Sequence, residues 1–597
     1  MEIKDNDGSK SYGFNLQFLH RFWHLQSLIF TDRINIGLAI IILLICSLEQ
    51  LVMYKIGMIP GQFIRALVSE DESKFVRAIV LSLIIVCFMT LVLSARILTS
   101  ELLSVSWRRS LTRCLHSLYF FNTGFYTLKL DNPDQRIASD AECLVSIYGQ
   151  ILSEILLSPF VISYYIYDSY RGRGSGPYGP LIIFGFFLFG TFINKTLLTP
   201  VVNSGVEVRS KEGDFRFKHA EIRSQSESLA FLGQMGSFAE ASRVDHLLEI
   251  LCEAQRKLVL ATYRLNLATN FFDYGASIIS YLIVGIPVYN GFYKGLNVEE
   301  LSGIISETAF VNIMLISKFS RLVDLAGKVS RLASVTHRVA EFVEKLSQEK
   351  IKDLKDFDNH AESSPLLMND SDDSSVSDET VLTLSNLSIG LPDISRKTLV
   401  SNLNLELKIG DNLLITGSSS CGKTSLLRVL RGLWNEKSGS YKFGRKNVIF
   451  ISQKPFFTNG SLRRQVTYPL EVVSSVSHDQ FDIWIKMKLI KFGLGDLIDR
   501  VNGNLDAEPD KSWSEILSPG ETQRMAIIRS LFHSPEILIL DEATSALSLD
   551  MEELCYREVS YNNLITLISV GHRDSLKKFH SKHLQILSEG QYSLHEI

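Results

Sequence analysis

The sequence predicts a polytopic α-helical membrane domain with six spans, followed by an α/β domain built around a phosphate-binding loop. Two observations predict this arrangement. Residues 1–350 contain six long apolar stretches, whereas residues 381–597 alternate short strand-like and helix-like segments. Residues 417–424 (GSSSCGKT) fit G-x-x-x-x-G-K-[ST], after a short apolar run and before a helix-like one. The mean hydropathy of +0.13 averages these two unlike halves.

The size and composition of the chain narrow its possible class. At 597 residues it is too long for one core, which predicts several domain-sized units. A net charge of −4 gives no basic signal for a nucleic-acid partner. The seven cysteines form no CxxC pair, so neither a disulfide framework nor a zinc site is predicted. Because Met1 to Lys10 is polar and no short apolar core follows, no cleavable signal peptide is expected.

The six apolar stretches are the candidate membrane spans, because a span needs about 20 apolar residues. We place them near residues 34–54, 76–98, 149–168, 180–200, 273–292 and 304–325. The loops after the second and fourth spans are long and rich in Lys and Arg. The positive-inside rule therefore puts these loops and both chain ends in the cytosol. Their length predicts helices that continue past the bilayer as stalks.

Several ionisable residues fall inside the predicted spans, where a charge is costly and often functional. They are Glu49, Lys195, Lys318, Arg321 and Asp324. One interpretation is a polar substrate cavity between the helices. The other is that Lys195 and Arg321 lie near span ends and reach towards the membrane surface, with Glu49 hydrogen-bonded inside the bundle. The sequence leaves both interpretations open.

Three parts of the chain follow from these patterns. Residues 1–350 are the predicted membrane domain with six helices and cytosolic loops, and residues 381–597 are the predicted nucleotide-binding domain. Between them, residues 351–380 are rich in Ser and acidic residues, with the run ESSPLLMNDSDDSSVSDET at 362–380. Such a composition cannot bury enough apolar surface to fold, so this segment is predicted to be a disordered linker.

The phosphate-binding loop carries its own chemistry. Glycine lets the backbone wrap closely around a polyphosphate, and successive N–H groups at a helix N-terminus then point at the anion. Lys423 offers a point charge to the β- and γ-phosphates of ATP, and Thr424 offers a hydroxyl to Mg²⁺. The candidate ATP-binding residues of the loop are Gly417, Ser418, Ser419, Ser420, Cys421, Gly422, Lys423, Thr424 and Ser425.

Further motifs follow in a fixed order along the second half of the chain. They are Gln453 in ISQKPFF, LSPGETQR at 517–524, the apolar run 537–540 ending in Asp541 and Glu542, SALSLD at 545–550, and SVGHR at 569–573. This set resembles that of the ATP-binding cassette (ABC) proteins, and the membrane half resembles the exporter type of that superfamily. One cassette and six spans resemble a half-transporter, which implies a dimer with ATP hydrolysis coupled to transport. A homodimer is expected here, although a heterodimer is equally compatible with one cassette per chain.

Residue types and the resemblance together assign candidate roles. Asp541, at a strand end, is placed to hold Mg²⁺, together with Thr424 and Gln453. Glu542 beside it is the candidate general base for the attacking water. Gln453 and His572 are the other candidate catalytic residues, with His572 directed to the γ-phosphate. The resemblance also implies that Ser518 and Gly520 of one subunit complete the ATP site of the other.

Three segments narrow the resemblance to subfamily D. Residues 132–136 (NPDQR) are similar to the NPDQR motif of that subfamily, and residues 212–219 (EGDFRFKH) are similar to its EGDFR segment. Residues 460–463 (GSLR) with Tyr468 and Pro469 also fit. These segments are expected where the loops meet the cassette.

Within subfamily D, peroxisomal members carry acyl-CoA esters and a lysosomal type moves cobalamin from lumen to cytosol. The short N-terminus and the segments LSPGE, DEATSALS and ISVGHR resemble the lysosomal type. That type implies a lysosomal membrane location, reached through the endoplasmic reticulum, with membrane lipid and an escort membrane protein as further partners. Two alternatives stay open: a peroxisomal transporter of long-chain acyl-CoA or fatty acids, and an ATP-gated membrane regulator that moves no solute.

Two departures from the family pattern concern ATP affinity. Pro519 replaces the second glycine of the signature motif, so one backbone donor to the partner's ATP is missing. Residues 381–420 contain no aromatic side chain, although cassettes usually place an adenine-stacking ring there. The adenine contact is therefore expected elsewhere. Because Lys423, Asp541, Glu542 and His572 are all present, hydrolysis is still predicted.

Overall fold

A computed structural model of the chain divides into two compact units, Met1–Glu349 and Lys350–Ile597, which are described separately. The described residues are 16–30, 32–128, 130, 132–171, 178–359, 380–391, 398–445, 447–470, 478–561, 565–587 and 590–597.

The first unit is built from helices alone over its described residues. The helices are α1 (Leu16–Ile29), α2 (Arg33–Val68), α3 (Glu72–Tyr119), α4 (Gly124–Thr127), α5 (Pro133–Gln135), α6 (Ala141–Arg171), α7 (Tyr178–Ser224), α8 (Ser226–Phe231), α9 (Gly233–Tyr289) and α10 (Val298–Asn359). A 3₁₀ turn at Phe121–Thr123 and a π-helical turn at Arg136–Asp140 lie between α3 and α6.

The helices agree with the predicted spans. Each of the six predicted stretches lies in one long helix, except that the fifth stretch extends to residue 292, past the end of α9 at Tyr289. Among the described residues, five helices are long and apolar enough to cross a membrane: α2, α3, α6 with the turns before it, α7 and α9. The helix α10 is not among them. Its charged residues, such as Glu307 and Lys318, interrupt the apolar run. The multi-pass helical domain is confirmed, with five candidate spans among the described residues, and the sixth span stays a prediction.

Several helices are far longer than a bilayer is thick. At about 1.5 Å per residue, the 57 residues of α9 extend about 85 Å, against a hydrocarbon core of about 30 Å. The helix α7, with 47 residues, packs along it. Such lengths fit the predicted stalks. Apolar side chains on these helices, including Phe192, Tyr274 and Ile278, are exposed. In a membrane, lipid would cover them.

Charged side chains tie the NPDQR segment to α10. Arg136, the last residue of that segment, is buried and donates to the carbonyl oxygen of Arg338 (2.8 Å) and to Oε2 of Glu341 (3.0 Å). One turn further, Asp140 pairs with Nε of Arg338 (3.0 Å). The segment is therefore anchored inside the first unit. Its expected position at the cassette stays a prediction.

The second unit combines two sheets with helices. Its elements are β1 (Thr380–Gly390), β2 (Thr398–Lys408), β3 (Leu413–Gly417), α11 (Lys423–Leu430), β4 (Ser438–Phe443), β5 (Val448–Ile451), α12 (Leu462–Thr467), α13 (His478–Lys491), α14 (Asp496–Arg500), α15 (Trp513–Ile516), α16 (Pro519–Phe532), β6 (Ile537–Asp541), α17 (Leu549–Ser560), β7 (Thr566–Val570), β8 (Lys582–Ile586) and β9 (Tyr592–Glu596). A 3₁₀ turn covers Asp574–Phe579. This composition confirms the predicted α/β class.

Strand order in the larger sheet positions the candidate site. The order is β5-β6-β7-β3-β8-β9, with every neighbouring pair parallel except β8 and β9. The smaller sheet, β2-β1-β4, is antiparallel. Because β5, β6, β7 and β3 are adjacent and parallel, their carboxyl ends meet at one edge. The predicted site residues outside the signature motif follow these four strands.

The boundary between the units falls near the predicted linker. The helix α10 continues to Asn359, so residues 351–359 of the expected linker are helical. The remainder, residues 360–379, lies outside the described residues.

Candidate active site

The phosphate-binding loop joins β3 to α11 and needs glycine at two positions. Gly417 and Gly422 have φ angles of +152° and +111°, which side chains disfavour. A Cβ on Gly417 would lie 2.5 Å from the carbonyl oxygen of Ile586, and one on Gly422 would lie 3.0 Å from Cβ of Leu399. Glycine therefore lets this loop lie tightly against its neighbours, as a backbone cradle for phosphate requires.

Lys423 is held beneath this loop. The residue is 6% exposed, and its Nζ donates to the carbonyl oxygens of Gly417 (2.9 Å) and Ser418 (3.0 Å). Both acceptors belong to the loop, so the ammonium group closes it from the side of α11. The arrangement places one positive charge at the N-terminus of a helix, where an anion is already favoured.

The remaining loop side chains lie at the open edge of the sheet. Ser418, Ser419 and Ser420 are exposed, and Cys421 and Ser425 are half-buried. Ser420 has a φ of +65°. The structure thus brings the whole predicted loop to one surface that a ligand can reach.

A hydroxyl and a carboxylate meet beside the loop. Oγ1 of Thr424 donates to Oδ1 of Asp541 at 3.3 Å. Burial raises the pKa of the Asp541 carboxyl, and the neighbouring charge of Glu542 raises it further. The hydrogen bond from Thr424 and the charges of Arg428 and Lys423 offset only part of that increase. A cation at this position would favour the ionised carboxylate, so the donor set fits Mg²⁺.

Two of the predicted catalytic residues, Gln453 and His572, contact the carboxylate of the third, Glu542. Nε2 of Gln453 donates to Oε2 of Glu542 (3.0 Å), and Nε2 of His572 lies 3.3 Å from Oε1. Glu542 adopts a φ of +49°, and its backbone N–H donates to the carbonyl oxygen of Val570 in β7 (3.1 Å). A left-handed conformation is costly for a residue with a side chain, and such strain concentrates at functional sites.

The side chain of Gln523 contacts the backbone of Glu542 and the loop after it, a contact that the sequence did not predict. The side chain is 4% exposed, and its Nε2 approaches the carbonyl oxygen of Glu542 (3.4 Å) and Oγ of Ser545 (3.1 Å). Its Oε1 accepts from the backbone N–H of Ala546 (2.9 Å). A glutamine on the mostly apolar buried face of α16 was the available sequence signal.

Arg573 fixes the segment that follows Glu542. Its guanidinium donates to the carbonyl oxygens of Leu547 (3.0 Å) and Ser545 (3.2 Å) and pairs with Glu552 (3.3 Å). Glu552 is 2% exposed and also accepts from Oγ1 of Thr544 (2.7 Å). The loop after the candidate catalytic carboxylate of Glu542 is therefore held by Arg573, the residue next to His572.

The signature segment begins α16. Ser518 caps this helix in a reciprocal arrangement in which its backbone N–H donates to Oε2 of Glu521 (2.8 Å). Burial raises the pKa of Glu521, but hydrogen bonds from Ser518 and the charges of Arg500 and Arg524 outweigh it, so the pKa is lowered. Pro519 occupies the first helical position, where no intrahelical N–H bond is needed.

Ser518 and Gly520 stand apart from the phosphate loop of their own chain. In the described part of the protein, the hydrogen bonds of Ser518 run to Glu521 and Thr522, and none joins it to residues 417–425. Gly520 lies against Ala546 and Leu547. The structure thus brings Lys423, Thr424, Gln453, Asp541, Glu542 and His572 to one sheet edge, and leaves the signature pair outside it.

Comparisons with known proteins identify the family of the chain. The family model described as "ABC transporter transmembrane region 2" matches residues 27–289, and the model described as "ABC transporter" matches residues 400–545. The human lysosomal cobalamin transporter ABCD4 is 39% identical over 595 residues, covering 98% of this chain and 97% of that protein. The mouse protein of the same name shows the same identity and coverage.

A more distant relative places these matches in a wider group. The ABC transporter D family member 3 of Dictyostelium discoideum is 27% identical, covering 83% of this chain and 78% of that protein. Both halves of the chain are thus matched, the membrane helices by one family model and the cassette by the other. The chain therefore belongs to the D family of ABC transporters, membrane proteins that couple ATP binding and hydrolysis to transport.

Proposed function

We propose that this chain is a half-transporter that acts as a homodimer and moves cobalamin from the lysosomal lumen to the cytosol. The observation that carries the proposal is the 39% identity, over 98% of the chain, to proteins named lysosomal cobalamin transporter. The segments LSPGE, DEATSALS and ISVGHR favour the same branch.

The phosphate loop binds the polyphosphate of ATP in this proposal. Gly417 and Gly422 keep the backbone close to the ligand, and the N–H groups of residues 418–425 donate to phosphate oxygens. Lys423 then leaves the loop carbonyls that it contacts and pairs with the β- and γ-phosphates. The support is a loop that only glycine can form beside a buried lysine.

Thr424, Asp541 and Gln453 hold Mg²⁺ in this proposal. The hydroxyl of Thr424 and the carboxylate of Asp541 already lie 3.3 Å apart and supply the oxygen ligands that the cation prefers. When bound there, Mg²⁺ neutralises negative charge on the phosphates. The raised pKa of Asp541 means that cation binding also releases protons at low pH.

Glu542 orients and polarises the attacking water, and His572 hydrogen-bonds the γ-phosphate. The contact from Gln453 at 3.0 Å holds one carboxylate oxygen, which leaves the other for the water once His572 turns to the phosphate. Gln523 and Arg573 are positioning residues, since they contact the backbone around Glu542 and not the ligand. Such general-base assistance contributes about 10²–10⁴-fold to a rate.

Ser518 and Gly520 complete the ATP site of a second copy. Their separation from the phosphate loop of their own chain supports this role. Pro519 removes one N–H that a glycine would offer across the dimer, but it also pre-forms the first turn of α16. We therefore expect a lower affinity for ATP, with the catalytic groups intact.

The proposed location is the lysosomal membrane, reached through the endoplasmic reticulum with an escort membrane protein. Lipid covers the exposed apolar faces of the spanning helices. A net charge of −4 gives no reason to expect a nucleic-acid partner.

The test is ATPase activity of the full chain in proteoliposomes, with cobalamin or a long-chain acyl-CoA on either side and Glu542→Gln as the blank. Stimulation by cobalamin alone supports the proposal. Stimulation by acyl-CoA alone would move the protein to the peroxisomal alternative. ATP binding with no stimulation by either solute would favour the non-transporting regulator.

A further inference from the structure

A layer of charged side chains crosses the membrane unit. We call the following residues the charge layer: Glu49 on α2, Arg96 on α3, Glu154 on α6, and Lys318 and Arg321 on α10. The five residues come from four helices and line one cavity. Charges within membrane-spanning helices are costly and are retained where they act.

Two carboxylates of the layer already have cationic partners. Glu49 is 6% exposed, and its Oε2 lies 3.3 Å from Nε of Arg96. Oε2 of Glu154 lies 3.7 Å from Nζ of Lys328, which follows Arg321 by about two turns of α10. Removing charge from water inside a membrane protein favours such pairing. These carboxylates are therefore engaged with cations other than Lys318 and Arg321.

Lys318 and Arg321 lack a partner of that kind. Nζ of Lys318 donates to the amide oxygen of Gln50 at 2.6 Å, which is a neutral acceptor. Among the described side chains, no carboxylate oxygen lies within the 4.0 Å of an ion pair from Lys318 or Arg321. The side chain of Asp324 lies outside the described ones. Lys318 and the exposed Arg321 thus line the cavity with no carboxylate at ion-pair distance among the described side chains, although Glu49 and Glu154 line the same cavity and pair with Arg96 and Lys328.

A small cavity opens beside these two cations. It is lined by the charge layer together with small polar side chains, notably Cys46, Ser153 and Ser158. Its volume of about 50 Å³ is well below the roughly 300–1,000 Å³ of a typical ligand pocket. The cavity is therefore too small for a whole solute and fits one compact charged group of a larger molecule.

Lys195 gives the contrasting case. It lies on α7, is exposed, and has no ion pair among the described residues. Nothing described encloses it, so the interpretation that it reaches towards the membrane surface fits this residue. Lys318, by contrast, is held at the cavity through Gln50.

We infer that Lys318 and Arg321 bind an anionic group of the transported solute, namely a phosphodiester or a similarly compact oxyanion. The inference rests on the proposed function, because cobalamin carries one phosphodiester among otherwise uncharged amide groups. Two cations beside a small polar cavity recognise such a group, and a low-dielectric surrounding strengthens the attraction. The rest of the solute then lies outside the cavity.

The test compares two solutes that differ in this group. Cobinamide lacks the phosphodiester and the nucleotide base of cobalamin. The concentration of each solute that half-maximally stimulates ATPase activity is measured for the full chain in proteoliposomes. The variants are Lys318→Gln, Arg321→Gln and the charge-conserving Lys318→Arg, with Lys195→Gln as the matched control on α7.

We expect Lys318→Gln and Arg321→Gln each to raise the half-maximal cobalamin concentration about tenfold, the usual effect of losing one charged contact. The value for cobinamide in these variants and both values for Lys195→Gln should not change. Lys318→Arg should keep most of the affinity for cobalamin. If Lys318→Gln fails to assemble, as judged by lost basal activity, Arg321→Gln carries the same comparison.

Two other results distinguish a failure of this inference from a failure of the proposed function. An unchanged half-maximal concentration, or an equal rise for both solutes, would overturn the inference while leaving cobalamin transport intact. A wild-type protein that neither cobalamin nor cobinamide stimulates would overturn the proposed function, and this inference with it.

Discussion

The nucleotide site and the charge layer are built in opposite ways. At the nucleotide site, each group in contact follows one of four adjacent parallel strands within a few residues, so local backbone geometry fixes its position. In the charge layer, contacts join helices that are distant along the chain, such as Lys318 and Gln50, which are 268 residues apart. Sequence motifs can therefore identify the nucleotide site, whereas only tertiary packing identifies the charge layer.

The largest expected effect concerns the nucleotide site, where local backbone geometry sets the side-chain positions. Glu542→Gln should reduce ATP hydrolysis by about 10²–10⁴-fold, because the amide cannot accept the proton of the attacking water. Binding of Mg-ATP should persist, since Lys423 and Asp541 are untouched. Hydrolysis and nucleotide binding are measured on the same preparation. Turnover equal to that of the wild type would remove Glu542 from its assigned role.

The second prediction tests a region that packing alone defines. Arg136→Ala removes the 3.0 Å ion pair of the buried Glu341, whose other carboxylate oxygen also lies 3.7 Å from Nζ of Lys345, and breaking such a buried pair costs up to about 3 kcal/mol. We expect a clear loss of folded protein, measured by thermal unfolding in detergent. Arg109→Ala, on the exposed surface of α3, serves as the matched control.

The reversed pair sharpens that result. Arg136→Glu combined with Glu341→Arg should recover part of the stability lost in either single change, because opposite charges again face each other. If the double variant were less stable than either single one, the contact with Glu341 would not explain the role of Arg136.

The third prediction concerns support of the catalytic carboxylate. Gln523→Leu keeps the buried volume but removes the contacts to Glu542, Ser545 and Ala546. We expect the turnover number to fall about tenfold with ATP affinity unchanged, as misplacement of a reacting group costs rate. An equal change in affinity would indicate that Gln523 shapes the whole site and not only the carboxylate.

The smallest effect depends on pH. Burial lowers the pKa of His580 to about 4, although the contact with the carbonyl of Leu576 opposes this. Below the ordinary pKa of about 6.5, the unfolded chain binds a proton that the folded chain does not. The free energy of unfolding is therefore unaffected above pH 6.5 and falls as pH drops from there to 4, by about 1 kcal/mol at pH 5.5.

Hydrogen exchange in β7 measures this, because Ser569 contacts Nε2 of His580. Protection factors should fall between pH 7.5 and 5.5 in the wild type and stay nearly level in His580→Gln. His572→Gln, a histidine that is exposed, should retain the wild-type slope. The same slope in His580→Gln as in the wild type would assign the pH response to another group.

The sequence predicted most of the fold, and the reasons are physical. Apolar runs long enough to cross a bilayer predicted all six long helices, although α10 is too charged to be identified as a span by hydropathy alone. The glycine-dependent loop between β3 and α11 was predicted from its motif, because glycine at positions 417 and 422 is a backbone requirement, and its phosphate-binding residues stay a prediction. For the charge layer, the sequence predicted only that charges inside spans are costly. Which of these charges pair depends on the packing of four helices.

Two contacts escaped prediction for the same reason. The NPDQR segment was expected where the loops meet the cassette, but no pattern predicted that Arg136 contacts Glu341, which lies 205 residues away along the chain. Gln523 was part of a quoted motif, yet its role depends on the loop at 544–547, which no periodicity relates to α16. Pro519 shows the converse: it was noted as a lost donor, and the structure adds that it begins a helix.

The most direct test of the central claim is ATP-driven movement of cobalamin itself. Vesicles that contain the full chain are loaded with labelled cobalamin, and Mg-ATP is added only outside, where it reaches outward-facing cassettes. We predict that cobalamin leaves these vesicles, that vesicles with the Glu542→Gln variant retain it, and that a labelled long-chain acyl-CoA does not leave. Retention of cobalamin by the wild type, with ATP hydrolysis running, would contradict the account.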